Sequence, residues 1–376
     1  MDEIVSIVNT IYYYSSTGPE LRPNSSLFYI RDFNDTDYWY IDFHHGEYLN
    51  QSIARMDKTA IEDMRNGRIT LCLNNSHEAF HDVVDSIYQH YVIGLGIPPK
   101  HIVLLSESAI IDQEVKRVAS LYNQDTINVE WLRMFEYNLK QTQHQQLATL
   151  EDKHYEKKFL NLNRRWREHR IMFVALLQLH GLLNQGFVSL AAGVDGASWE
   201  RAADSFLWCI NDEELLNTLY TRREEYESLP PMYLDTKDLH INQATMTDST
   251  DYYYANSYFS IVSETNFFKH RGEGVFVSEK IFKPILKKHP FIVITRPHTL
   301  RALRSIGYKT FDDIIDESYD TEENDDKRLM MILNETKRLC ELNQDQLSDF
   351  LSKAREICEF NYNALMNQTN FITKLI

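Results

Sequence analysis

The chain has 376 residues, a formal net charge of -16 and 43% hydrophobic and 12% aromatic residues. This length suits two ordinary domains, and the composition excludes an extended disordered protein. The acidic balance argues against broad attraction to nucleic acid or to an anionic membrane, so any polyanion must be met by a local basic strip.

No apolar run approaches the roughly 20 residues that cross a bilayer, and the start MDEIVSIVNTIYYYSS lacks the basic segment of a signal peptide. A cytoplasmic protein with no membrane partner is expected. Cys72, Cys209, Cys340 and Cys358 have no CxxC spacing and read as reduced core residues rather than a zinc site or a disulfide framework.

In chain order, EIVSIVNTIYYYS, NSSLFYIRDF and DYWYIDFHH have the β-branched and aromatic content of strands. Ile69 to Leu73 is expected as a strand, followed by a helix in HDVVDSIYQHYVIGLGI and a strand in HIVLLSES, which together make one β-α-β unit. The polar segment from about Gln141 to Lys157 marks the domain boundary, giving domains 1–150 and 151–376. In the second half, strand KFLNL leads through the loop NRRWREH to the apolar helix RIMFVALLQLHGLL and then to strand FVSLA. Helices around 199–227 follow, and Pro230 and Pro231 break the chain. Strands SYFSIVSE and FIVIT flank the stretch VSEKIFKPILKKHP, Pro297 is placed to start the helix PHTLRALRSIG, and YKTF reads as a short edge strand. From about Asp325 the chain reads as helices. This alternation predicts an α/β protein of two doubly wound, Rossmann-like domains with a cleft between them and C-terminal helices.

In such sheets ligands sit at the carboxyl ends of the strands, where loops enter helices. Two loops of the second domain fit. The first sets Asn163, Arg164, Arg165, Arg167, His169 and Arg170 after a buried strand; planar guanidinium groups suit phosphate, although a solvated basic loop is the bland alternative. The second has Ser278 as helix N-cap, Glu279 and Lys280 in the first turn, and Lys283 one turn on, with Pro284 deep enough to bend the helix. Glu279 and Lys283 also make an ordinary i, i+4 pair, and Glu279 suits the positive helix end. A lysine at that end is explained by a bound anion, so Lys280 is the first candidate for phosphate, with Lys287 expected as a solvated lysine on the same helix. Glu264 ends the preceding strand, and either it or Glu279 is placed to accept ribose hydroxyls. There is no GxGxxG and no Walker A pattern among only 12 glycines, which disfavours dinucleotide redox chemistry, an epimerase and P-loop chemistry.

The motifs KKFLNLNRRWREHR, SIVSETNFF with VSEKIFKPILKKHPFIVI, and LRSIGYKTFDDIIDESYD together resemble a group of glycosyltransferases and glycosyltransferase-like proteins of tailed bacteriophages, across roughly residues 155–350. The Glu-Lys turn is similar to the donor-binding turn of the alpha-1,3-fucosyltransferases, which have the GT-B fold. The resemblance implies a GT-B enzyme with its donor, a UDP- or GDP-linked sugar, in the second domain and its acceptor and catalytic base in the first. It implies no cofactor and no metal, because basic side chains and a helix N-terminus neutralise the leaving diphosphate. The aspartates of DFNDTDYW read as turn chemistry.

For the base, Glu78 follows a strand in LNNSHEAF beside His77, and IDFHHGE offers Asp42, His44, His45 and Glu47; Glu78 is favoured over Asp42 and His44. The implied acceptor is either a hydroxymethylated pyrimidine in phage DNA, in which case the protein works in the host cytoplasm, or a glycan or protein. A nucleotide-sugar-binding protein without catalysis is the alternative from another class.

Overall fold

Runs of β-branched and aromatic residues in both halves become short strands, joined in parallel because helix-forming segments separate them. The structure, a computed structural model, describes residues 20–21, 27–30, 58–68, 70–75, 83–106, 108, 111–131, 136, 139, 155–191, 204, 206–234, 247–268 and 275–367. The chain divides into two units after Met134, with Val275 and Phe276 grouped with the first. The stretch 141–154, where the sequence predicts the boundary, lies outside the described residues, as do the strands expected in 3–15 and 37–45.

In the first unit, β1 (Glu20–Leu21), β2 (Leu27–Ile30), β3 (Thr70–Asn75), β4 (Ile102–Ser106) and β5 (Asn128–Trp131) lie in the order β1-β2-β3-β4-β5. Only β1 pairs antiparallel. Helices α1 (Lys58–Arg65), α2 (Val83–Ile87) and α3 (Ile111–Leu121) join them, and α2 runs on as a π-helix over Tyr88–Gly94. The apolar spacing read in HDVVDSIYQHYVIGLGI thus forms one helical segment, whose Val84, Ile87 and Tyr91 pack in the core with Leu71, Leu73, Ile102 and Leu104. The Tyr88 hydroxyl accepts from the Ile127 N–H at 3.1 Å and donates to the Asp125 carbonyl at 2.8 Å, which fixes the entry to β5.

In the second unit, β6 (Lys157–Asn161), β7 (Gly186–Val188), β8 (Ser257–Ser263) and β9 (Phe291–Ile294) form an all-parallel sheet in the order β7-β6-β8-β9. The chain leaves β6 through α4 (Glu168–Leu179) to reach β7, then returns past β6 to β8. The strand order therefore reverses between β6 and β8. Right-handed crossovers on either side of this reversal send their helices to opposite faces, which is the doubly wound arrangement. Every residue of β8 and β9 is buried, as expected for parallel strands covered on both sides. Gly186 opens β7 against the Phe159 ring, where an added Cβ would lie 2.2 Å from a ring carbon.

The unit also contains helices α5 (Glu213–Thr221), α6 (Thr247–Ala255), α7 (Glu279–Leu286), α8 (Thr299–Ser305), α9 (Asp325–Glu341) and α10 (Gln344–Met366), with a single helical turn at Glu224–Glu227 after α5. The C-terminal helices expected from the sequence are α9 and α10, the latter opened by a reciprocal cap between Asn343 and Gln346. Pro297 does not open α8. The chain turns at His298 in the left-handed region (φ 67°), and the Asp320 carboxylate takes the Leu300 and Arg301 N–H groups at 2.8 and 3.0 Å. YKTF is not a strand either, because the backbone of Lys309 pairs in both directions with the side-chain amide of Asn361 on α10. The acidic segment DDIIDESYD is architectural. Besides Asp320, Glu317 accepts the Phe311 N–H at 2.7 Å, and Glu335 of α9 accepts the Asp316 N–H at 2.9 Å. The Tyr319 hydroxyl accepts the Val293 N–H on the side of β9 away from β8.

Cys340 and Cys358 are buried free thiols, as expected for core residues, whereas Cys209 is only partly buried. Among the described residues no helix is long and apolar enough to cross a membrane.

Arg328 of α9 is fully buried and joins the loops after β8 and β9. It donates to the carbonyls of Phe267, Thr295 and Glu322 and to the Asp325 carboxylate, at 2.6 to 3.0 Å, and lies over the Phe267 ring. Replacing it by Met should cost about 3–5 kcal/mol, because three carbonyls and a carboxylate lose their donor inside the protein. Urea unfolding measures this; a loss under about 1 kcal/mol would show that those carbonyls find other donors.

Candidate functional site

The reversal of strand order places the carboxyl ends of β6 and β8 beside a crevice, the position at which open α/β sheets bind ligands. The loop after β6 carries Asn163, Arg164 and Arg165, the end of β8 carries Glu264 and Thr265, and α7 begins with Ser278, Glu279 and Lys280. Arg164, Arg170, Lys280 and Lys283 line a cavity there together with Leu160, Ser260 and Tyr254. The two loops singled out in the sequence therefore meet.

Glu264 is 1% exposed, and its backbone N–H bonds Ile294, which sets it at the end of β8. Its carboxylate accepts from the Ser278 N–H at 3.1 Å, the Ser278 hydroxyl at 2.5 Å and the Thr265 N–H at 3.2 Å. Burial pushes this carboxyl above the ordinary glutamate value, against the pull of Lys280. The side chain is thus a clamp on the α7 N-terminus rather than an open acceptor. Ser278 is equally engaged: it caps α7, its hydroxyl accepting from the Lys280 N–H and from Lys280 Nζ while donating to Glu264.

Arg170 lies beneath the mouth rather than at it. It is 5% exposed and donates to the carbonyls of Arg165, Ser263 and Glu264, each at 3.2 Å, while its Nε is buried with no partner. Burial and the neighbouring Arg167 push this guanidinium down from its ordinary value. His169 is buried and bonds the Glu264 carbonyl through Nε2 at 2.9 Å. Asn163 is also buried. Its amide donates to Asn161 at 2.6 Å, Asn161 in turn donates to the Ile261 carbonyl, and the Asn163 Oδ1 has no partner. Asn163, His169 and Arg170 are therefore floor and framework. Arg164, Arg165 and Lys283 are partly exposed.

Lys280 and Glu279 form an ion pair at 2.9 Å at the crevice, with side chains 22% and 15% exposed. Lys280 also donates to the Thr265 and Ser278 hydroxyls at 3.2 and 3.0 Å. Burial by itself would raise the Glu279 carboxyl, but Lys280 and Lys283 outweigh it and hold the group at about 2. The helix continues through Pro284 to Leu286. Lys287 is not solvated: its side chain is 8% exposed and pairs with Asp251 at 2.5 Å.

Asn161, Ser189, Ser263 and Thr265 were not singled out in the sequence: Ser189 accepts the Asn163 N–H at 2.9 Å, Asn161 donates to Ser263 at 3.3 Å, and Thr265 accepts from Lys280, all contacts between residues distant in the chain or on different elements. The strand-end position of Thr265, directly after Glu264, was the available signal for that residue. Glu78, Asp42 and His44, together with His45, Glu47 and His77, lie outside the described residues. Among the described residues there is no cluster of three or more His, Cys, Asp or Glu placed to hold a metal ion.

No protein-family model matches the chain, and neither does any curated protein. Among solved structures it is similar to the catalytic domain of starch synthase IV from Arabidopsis thaliana bound to ADP and acarbose, at 9% identity over 87% of this chain and 70% of that one, with a TM-score of 0.35. That score is low for two chains of one fold, and the topology here rests on the strand register.

The Glu279 carboxyl has a folded value below its ordinary 4.5, so its contribution to stability is full above 4.5 and lost as pH falls toward about 2. The thermal midpoint gap between wild type and Glu279→Gln should hold steady above about pH 5 and narrow below it. Glu264 titrates with the opposite sign but is present in both proteins. A gap that stays constant down to about pH 3 would contradict the ion pair.

Proposed function

We propose that the protein is a glycosyltransferase of GT-B type that binds a nucleotide-sugar at the crevice of the second unit and transfers the sugar by direct displacement at its anomeric carbon. One observation carries this reading: a lysine and a glutamate, Lys280 and Glu279, share the first turn of a helix at the switch point of a parallel sheet, with Arg164 and Lys283 on the same cavity. A diphosphate leaving group needs positive charge fixed in advance where its own charge develops, and these side chains supply it. Lys280 is assigned to the phosphates, Arg164, Arg165 and Lys283 to the surrounding field, and Glu279 to the ribose hydroxyls. Glu264, Ser278 and Arg170 hold these groups in place.

The base that takes the acceptor proton is assigned to the first domain, to Glu78 ahead of Asp42 and His44. The acceptor is a hydroxyl of a hydroxymethylated pyrimidine in phage DNA, or of a glycan or protein. Binding to hydroxymethylated duplex that weakens steeply with salt selects the first, since neutralised phosphates release counterions.

Lys280→Ala should weaken binding of the cognate nucleotide-sugar by about 2–5 kcal/mol, the effect of removing one partner of a partly buried charge pair. Lys287 is no neutral comparison, because it pairs with Asp251. Lys353 is, because its pair with Asp349 lies at the surface, with side chains 59% and 63% exposed, and Lys353→Ala should stay within about 0.5 kcal/mol of wild type. Calorimetric titration across a donor panel decides; equal affinities for the two variants would move the donor site elsewhere.

With Lys280, Lys283 and Arg164 providing the positive charge, transfer should proceed at full rate in the presence of a chelator. Loss of turnover in the chelator, restored by manganese, would require a metal-bridged donor instead.

A further inference from the structure

An ammonium group has three hydrogens to donate, and all three of those on Lys280 are engaged, with Thr265 Oγ1, Ser278 Oγ and Glu279 Oε1. An incoming phosphate therefore meets a lysine whose hydrogen bonds are already made and must displace one of these acceptors. Ser278 is the least able to give way, because its hydroxyl is simultaneously bonded to the buried Glu264 carboxylate. The strongest competitor is Glu279, since charge-assisted bonds exceed neutral ones. If Glu279 lets go, a carboxylate that is 15% exposed is left with Lys283 one turn away, while Arg170 of α4 attracts it from beneath and the Glu264 carboxylate of β8 repels it. An ionised group so enclosed is costly without new donors. A pair of adjacent hydroxyls on the same ligand would bring them.

We infer that Glu279 is a specificity-determining residue: it competes with the ligand phosphate for Lys280, and yields only to a ligand that also brings hydroxyl donors for its carboxylate. The inference rests on the nucleotide reading above and adds what the site rejects. Inorganic phosphate, pyrophosphate and nucleotides without ribose hydroxyls are disfavoured by the protein's own carboxylate.

The test is calorimetric titration of the full chain with pyrophosphate, with uridine, guanosine and adenosine diphosphates, and with the 2′,3′-dideoxy form of whichever nucleotide binds. In wild type the ribonucleotide should bind at least about tenfold tighter than its dideoxy form, which should do no better than pyrophosphate, a gap of about 1.4 kcal/mol. In Glu279→Gln pyrophosphate should bind about tenfold tighter than in wild type, and the preference for the ribonucleotide should shrink. General damage to the site would weaken both ligands together and cannot produce this opposite movement. Pyrophosphate affinity that is unchanged or reduced in Glu279→Gln overturns the inference. Should that variant fail to fold, the wild-type comparison decides alone, and a dideoxy nucleotide that binds as tightly as the ribonucleotide overturns it. If no nucleoside diphosphate binds wild type while pyrophosphate still tightens in Glu279→Gln, the competition stands and the nucleotide reading falls. No binding of any of these ligands to either protein removes both.

Discussion

The candidate site depends on one desolvated carboxylate. Glu264 is placed by the β8–β9 register at the end of a fully buried strand, and its side chain holds the first residues of α7. Its main-chain carbonyl receives His169 and Arg170 from α4. One residue thus fixes the ends of three elements, β8, α4 and α7, with respect to one another. A buried polar group with all its bonds made stiffens its surroundings, while one left short of partners is strongly destabilising. This is how a loop without a glycine-rich turn can present a lysine at a defined place.

Charge is distributed on two scales. The chain as a whole is acidic, at -16, yet Arg164, Arg170, Lys280 and Lys283 line one crevice, with Arg165 and Arg167 close to Arg170. Local fields in a concave, partly desolvated region outweigh a diffuse surface charge of the opposite sign, which salt screens over about 10 Å. The acidic residues that come nearest are held rather than free: Glu264 by Ser278 and Thr265, and Glu279 by Lys280.

Local signals were legible in the sequence. Ser278 caps α7, the Glu-Lys turn follows it, β9 reads as an unbroken apolar run, and the C-terminal helices fall where the sequence places them. What was hidden depends on residues far apart in the chain. Glu264 and Ser278 are fourteen positions apart, and nothing in SIVSET marks the glutamate as a clamp rather than a ligand for ribose. Arg170 resembles its arginine neighbours in sequence, and only the closeness of three carbonyls separates it from them. Lys287 looked solvated because its partner Asp251 lies on another helix. YKTF has strand composition but no strand beside it, and the amide of Asn361 serves its backbone instead.

The Tyr319 hydroxyl on the outer N–H of Val293 has a further consequence. β9 closes one side of the four-stranded sheet, and a parallel strand ending a sheet normally offers a row of unmet backbone groups to any extended peptide that comes near. Here a phenol occupies one of those groups, and all four residues of the strand are buried. The sheet therefore has a built-in stop on that flank. An extended segment approaching β9, whether a peptide ligand or a misfolded copy of the chain, meets this phenol where it would need the Val293 N–H.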